Sequence, residues 1–72
     1  MATRNALTRI VLNGKQLITA VGDLAALLLE QGIAGEAVAT AVNGQFVPRG
    51  QRQQQQLHEG ARVEVLAPMQ GG

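Results

Sequence analysis

The sequence predicts an α+β domain, a mixed sheet of about five strands packed on one main helix. Three observations carry this. Two Asn-Gly pairs, Asn13-Gly14 and Asn43-Gly44, each sit between short runs of strand-forming residues. One segment between them, AVGDLAALLLEQG, spaces its apolar residues for a helix. A last alternating run, ARVEVLA from Ala61 to Ala67, has no neighbouring run to turn back on.

The elements follow in order. TRIVL, Thr8 to Leu12, alternates with period two, and KQLIT follows Asn13-Gly14. A type I′ turn needs φ > 0 at both central residues, which Asn-Gly supplies, so strands are expected near 8–12 and 16–19. Val21, Leu24, Leu27, Leu28 and Gln31 fall at helical spacing, with Ala25 and Ala26 as strong helix formers. The helix is expected over about 21–31. Thr19 is its expected N-cap, Asp23 a favourable charge in its first turn, Gly32 its left-handed C′ residue and Ile33 the apolar residue after it. Leu29 lies off the apolar stripe. AVATAV, Ala37 to Val42, reads as a strand, and Asn43-Gly44 turns it into QFVP. Pro48 cannot donate to a ladder, so that strand is short, at an edge, or ends there. RGQRQQQQLHEG is polar and loop-like, and its glutamine run, Gln53 to Gln56, at four residues reads as a solvated loop or one irregular turn rather than a prion-like tract, with Leu57 plugging the core. Glu59-Gly60 turns into the last strand, with Val63 and Val65 on one face, and Pro68 stops it.

A lone helix must cross one face of the sheet to bury its stripe. The last strand is sheltered best in the centre, between the two hairpins and parallel to the first strand. That is the β-grasp plan. The expected core is Ile10, Leu12, Leu17, Val21, Leu24, Leu27, Leu28, Ile33, Val38, Val42, Val47, Leu57, Val63 and Val65. Residues 1–66 are expected to form one domain and residues 67–72 a flexible tail.

Composition narrows the function classes. The chain has 72 residues, no Cys and no Tyr, and a formal net charge of +1. Disulfides and cysteine metal sites are excluded. The charge gives no footprint for nucleic acid or anionic membrane, and a single aromatic, Phe46, gives no base-stacking platform. No apolar run approaches a membrane span, and MATRNALTRIV has no signal-peptide pattern, so a cytoplasmic location is expected. Ser is missing and His58 is the single His, so neither a catalytic triad nor a metal cluster can be assembled. A protein that is not itself an enzyme is expected, with no bound cofactor and no metal.

Two features remain. If Ile10, Leu12, Val38, Val42, Val63 and Val65 face the helix, the opposite sheet face carries Arg9, Val11, Ala39, Ala41, Arg62, Glu64 and Leu66, with Phe46 or Val47. Much of that face is apolar. It is either a partner-docking surface or a scatter of ordinary exposed apolar residues. Phe46 is core or partner contact, and exposure would favour contact. The second feature is the end of the sequence, Met69-Gln70-Gly71-Gly72. From Ala67 an extended segment can reach roughly 20 Å from the sheet. Two residues without Cβ atoms fit a narrow channel and leave the Gly72 carboxylate unhindered. His58 is expected to be an exposed loop residue rather than an acid or base, and Arg49 to steady the loop after Pro48.

IVLNGK, DLAALLLEQGI, VATAVNGQFVPR and HEGARVEVLAPMQGG closely resemble the bacterial ThiS sulfur carriers of thiamin biosynthesis, ubiquitin-like β-grasp proteins. The most specific stretches are VNGxxVPR, matched at Asn43, Gly44, Pro48 and Arg49, and the terminal EGxRVEVLxPxxGG from Glu59. Residues 1–7 are longer than the family usually shows, and RGQRQQQQ departs from it. The resemblance implies that a ThiF-like adenylyltransferase uses ATP to turn the Gly72 carboxylate into an acyl-adenylate. Sulfur from a persulfide donor then displaces AMP, and the resulting thiocarboxylate serves a ThiG-like thiazole synthase. Gly71, Gln70 and Met69 would thread the partners' sites, and Leu66, Phe46, Val11, Ala39 and Ala41 would form the docking surface. A carrier resembling the small subunit of molybdopterin synthase, a ubiquitin-like protein modifier, and a plain interaction domain with an inert tail are the alternatives.

Overall fold

The computed structural model describes residues 7–67. The expected tail residues Met69, Gln70, Gly71 and Gly72, and residues 1–6, lie outside the described residues. Strands β1 (Thr8–Leu12) and β2 (Lys15–Thr19) form the first hairpin. Helix α1 (Leu24–Glu30) follows, then a 3₁₀ helix (Gly35–Ala37), β3 (Ala39–Val42), β4 (Gln45–Val47), a second 3₁₀ helix (Arg49–Gln54) and β5 (Arg62–Leu66). The sheet order is β2-β1-β5-β3-β4. β5 is central, parallel to β1 and antiparallel to β3. This is the expected β-grasp arrangement.

Both Asn-Gly turns form as expected, with φ of 49° at Asn13 and 52° at Asn43 and each following glycine also positive. The helix ends as expected too. Gly32 is left-handed, its N–H donates to the Leu29 carbonyl, and the Ile33 N–H donates to the Leu28 carbonyl.

The start of the helix differs. Asp23, not Thr19, is the N-cap, and its Oδ1 accepts the Ala26 N–H at 2.8 Å. The helix begins three residues later than expected because the preceding backbone is committed elsewhere. The Leu57 N–H donates to the Gly22 carbonyl and the Leu24 N–H to the Gln55 carbonyl. The Thr19 hydroxyl instead accepts the Val21 N–H and donates to Glu30 Oε1 at 2.8 Å, tying the end of β2 to the last turn of α1. The third strand also starts later than expected. Gly35–Ala37 closes a 3₁₀ turn, so Ala37 and Val38 stand outside β3.

The core comprises Ile10, Leu24, Leu27, Val42, Val47, Leu57, Ala61 and Val63, with Leu28 also buried. Leu12, Leu17, Val21 and Val65 pack partly buried against it. Ile33 and Val38, expected in the core, are half-buried.

The polar stretch after Pro48 takes the second of its two expected forms, an irregular turn, and its glutamines are exposed apart from half-buried Gln55. It is the second 3₁₀ helix, and Arg52 within it is buried. The Arg52 guanidinium donates to the Gly35 carbonyl (2.8 Å), the Val38 carbonyl (2.8 Å) and Thr40 Oγ1 (3.1 Å). The Thr40 hydroxyl in turn donates a hydrogen bond to the Val47 carbonyl at 2.9 Å. One cation therefore ties the first 3₁₀ helix, β3 and the second 3₁₀ helix together. Its hydrogen bonds offset the cost of burial. Among the described residues no helix is long and apolar enough to cross a membrane.

Candidate functional site

β5 fixes the geometry of the candidate site, because the chain leaves the sheet at its end. Period-two alternation puts Val63 and Val65 toward the helix and Arg62, Glu64 and Leu66 on the opposite face. Register then assembles that face across the strands. Ala41 stands opposite Phe46 on one side and Glu64 on the other, and Ala39 stands opposite Leu66. Across the parallel pair, Val11 stands opposite Arg62. The first hairpin extends the face through Arg9 and Ile18, which are paired.

Phe46 is 68% exposed and Leu66 69%. Ala39 is also exposed, while Val11 and Ala41 are half-buried between neighbouring strands. The five residues expected on the apolar face are therefore on one face, and Phe46 is exposed rather than part of the core. Val47 belongs to the core. Phe46, Ala39, Ala41, Glu64 and Leu66 line a shallow depression, and Leu66 with Ala67 also lines a second one beside Val38 and Ala39. The apolar ground thus continues to the last described residue. Arg62 and Glu64 lie within this face on the central strand, beside Val11 and Ala41, and Arg9 pairs with Glu59 at 3.5 Å at its far edge, an exposed pair of little energetic weight.

The backbone of β5 is gripped by both turn asparagines, a role the sequence reading did not assign. Asn43 Oδ1 accepts the Arg62 N–H at 2.8 Å, at the start of the strand. Asn13 Oδ1 accepts the Val65 N–H at 2.8 Å and Asn13 Nδ2 donates to the Val65 carbonyl at 3.2 Å, near its end. The available signal was the carboxamide itself. The turn uses only the φ tolerance of Asn and leaves its donors and acceptor free.

His58 is exposed, as expected, and its carbonyl accepts the Ala61 N–H in the turn before β5. Arg49 is exposed and lines a groove on the helix layer with Leu29 and Ile33, so the steadying role expected of Arg49 belongs to Arg52. Among the described residues no group of three His, Asp or Glu side chains is placed to hold a metal ion.

The family model described as the ThiS family matches residues 5–72. Among solved structures, the chain is similar to the thiamine biosynthesis protein ThiS from Geobacter metallireducens, with 26% identity and a TM-score of 0.78. That match covers 90% of this chain and 100% of the other. No curated protein matches the chain significantly.

Proposed function

Because the chain belongs to the ThiS family, small sulfur carriers of thiamin biosynthesis, we propose that it carries sulfur on its last residue, Gly72, as a thiocarboxylate. The observation that supports this is the open apolar face running from Phe46 to Leu66, the last residue of the strand from which the tail departs. A carrier needs a docking surface continuous with the segment it presents, and needs no acid, base or metal of its own.

The chemistry follows from the carboxylate. A carboxylate is a poor electrophile, so a partner adenylyltransferase of the ThiF type joins the Gly72 carboxylate to the α-phosphorus of ATP and releases pyrophosphate. The acyl-adenylate has a good leaving group. The terminal sulfur of a persulfide attacks the acyl carbon and expels AMP. A thiol reductant then cleaves the sulfur–sulfur bond and leaves the thiocarboxylate. That soft nucleophile passes its sulfur to a thiazole synthase of the ThiG type. Gly71 and Gly72 let the tail approach each partner's reactive atoms without side-chain obstruction. Phe46 and Leu66, with Val11, Ala39 and Ala41, receive both partners in turn.

The test is the intact mass after incubation with ATP, a persulfide donor, a thiol reductant and the adenylyltransferase. The expected result is replacement of one oxygen by sulfur, confined to the C-terminal fragment. An unchanged mass, with the same enzyme active on a control carrier, overturns the proposal.

A further inference from the structure

β1 and β5 run parallel, with the Val11 N–H donating to the Ala61 carbonyl and the Asn13 N–H to the Val63 carbonyl, both at 2.9 Å. In an evenly spaced parallel ladder the next rung takes the Val65 N–H to the backbone carbonyl of residue 13 and the Val65 carbonyl to the N–H of residue 15. That rung cannot form from backbone, because the chain has turned at Asn13-Gly14 and Lys15 already belongs to β2. The Asn13 side chain replaces it. Its Oδ1 takes the Val65 N–H at 2.8 Å and its Nδ2 meets the Val65 carbonyl at 3.2 Å. One carboxamide supplies the acceptor and the donor that two backbone residues would have supplied.

This rung lies at the functional end of the strand. On the β3 side, β5 stays paired through Leu66, which stands opposite Ala39. On the β1 side the backbone register ends at Val63. Among the described residues, the Asn13 carboxamide makes the last hydrogen bonds to β5 on that side before Leu66 and Ala67. We propose that Asn13 is a positioning residue for the proposed carrier chemistry, setting the direction in which the chain leaves the sheet and the placement of Leu66 on the docking face. The proposal rests on the sulfur-carrier reading.

Asn43 is its internal control. It occupies the same kind of turn with nearly the same φ, and its Oδ1 grips β5 through the Arg62 N–H, at the opposite end of the strand. Glycine tolerates positive φ, so Asn13→Gly and Asn43→Gly remove the carboxamides without straining either turn. A purely structural role moves both variants alike. A positioning role separates them.

The experiment uses the full chain with the activating enzyme and ATP, following adenylate formation together with amide hydrogen exchange. Asn13→Gly is expected to speed exchange at Val65 and raise KM about fivefold with kcat unchanged, the scale of one or two modest hydrogen bonds. Asn43→Gly is expected to speed exchange at Arg62 and leave KM unchanged. Asn13→Asp keeps the acceptor but sets a second oxygen against the Val65 carbonyl, so it is expected to follow Asn13→Gly. Equal KM values for the two glycine variants, whether both raised or both at wild type, overturn the positioning role while the carrier reading stands. A wild-type chain that is never adenylated overturns the carrier reading and this proposal with it.

Discussion

Val63 and Leu66 stand three residues apart in one strand, and their surroundings differ completely. Val63 is 1% exposed among Ile10, Leu24 and Leu27, while Leu66 is 69% exposed. The helix-facing side of the sheet is filled with interlocking aliphatic side chains and closed at one end by the Arg52 clamp. The opposite side presents Phe46, Ala39 and Leu66 with nothing described above them. Both sides carry large apolar side chains, though the open side also carries Arg9, Arg62 and Glu64, so the presence of apolar residues alone does not distinguish a core from a docking face. What distinguishes them is whether the chain supplies its own cover. With one helix, a chain of this length covers one face.

Substitutions on the two faces should therefore separate stability from function. The largest stability effect is expected at the centre of the covered face. Leu27 is 1% exposed, and Leu27→Ala should cost about 2–5 kcal/mol from lost transfer energy and the cavity left behind. Small domains hold little more than that in reserve, so the variant is expected to be largely unfolded near physiological temperature. A thermal melt close to wild type would contradict the core described above.

Arg52 comes next. Arg52→Met keeps much of the aliphatic stem and removes the three donors, leaving the Gly35 and Val38 carbonyls without that partner. A cost of about 2 kcal/mol is expected, since the part-buried Val38 carbonyl loses its donor while the Gly35 carbonyl keeps the Val38 N–H at 3.4 Å. Arg52→Lys should rescue little of it, because one ammonium cannot reproduce the planar fork that spans the carbonyls and the Thr40 hydroxyl. Chemical denaturation of the pair measures both. Full rescue by lysine would show that charge, not the fork, does the holding. A smaller loss, about 1 kcal/mol, is expected for Asp23→Ala, which removes the side-chain acceptor of the Ala26 N–H.

These residues also show what the sequence made legible. The turns at Asn13 and Asn43 and the helix stripe follow from local spacing, and the central place of β5 from its need for shelter between the hairpins. Period-two alternation put Leu66 on the open side but left open whether Phe46 or Val47 joined it, which the burial of Val47 decides. The clamp did not follow. Arg52 sits in a run of glutamines that looks solvated, and its partners lie 12 to 17 residues away in the chain. The helix start was misplaced for the same reason. Gly22 and Leu24 pair with Leu57 and Gln55, more than thirty residues on, and no local propensity announces that. The asparagine side chains were read for their backbone tolerance, while their hydrogen bonds to β5 depend on the sheet being assembled.

The smallest stability effect, and the sharpest test of the comparison, is expected on the open face. Phe46 is 68% exposed, so Phe46→Ser gives up little buried area in the isolated protein, and a change within about 0.5 kcal/mol is expected. Leu66→Ser should behave alike. If the face docks the activating enzyme, the same substitutions remove apolar contact from the middle of that interface, where a few large side chains carry most of the binding energy. A rise in KM for adenylation of about tenfold or more, at an unchanged melting temperature, is then expected. Leu29 supplies the contrast. It is 81% exposed on the helix layer, away from the strand that leads to the tail. Leu29→Ser should leave both melting temperature and KM at wild-type values. If Leu29→Ser raises KM while Phe46→Ser does not, the partner grips the helix layer, and the open sheet face is only the side that one helix was too few to cover.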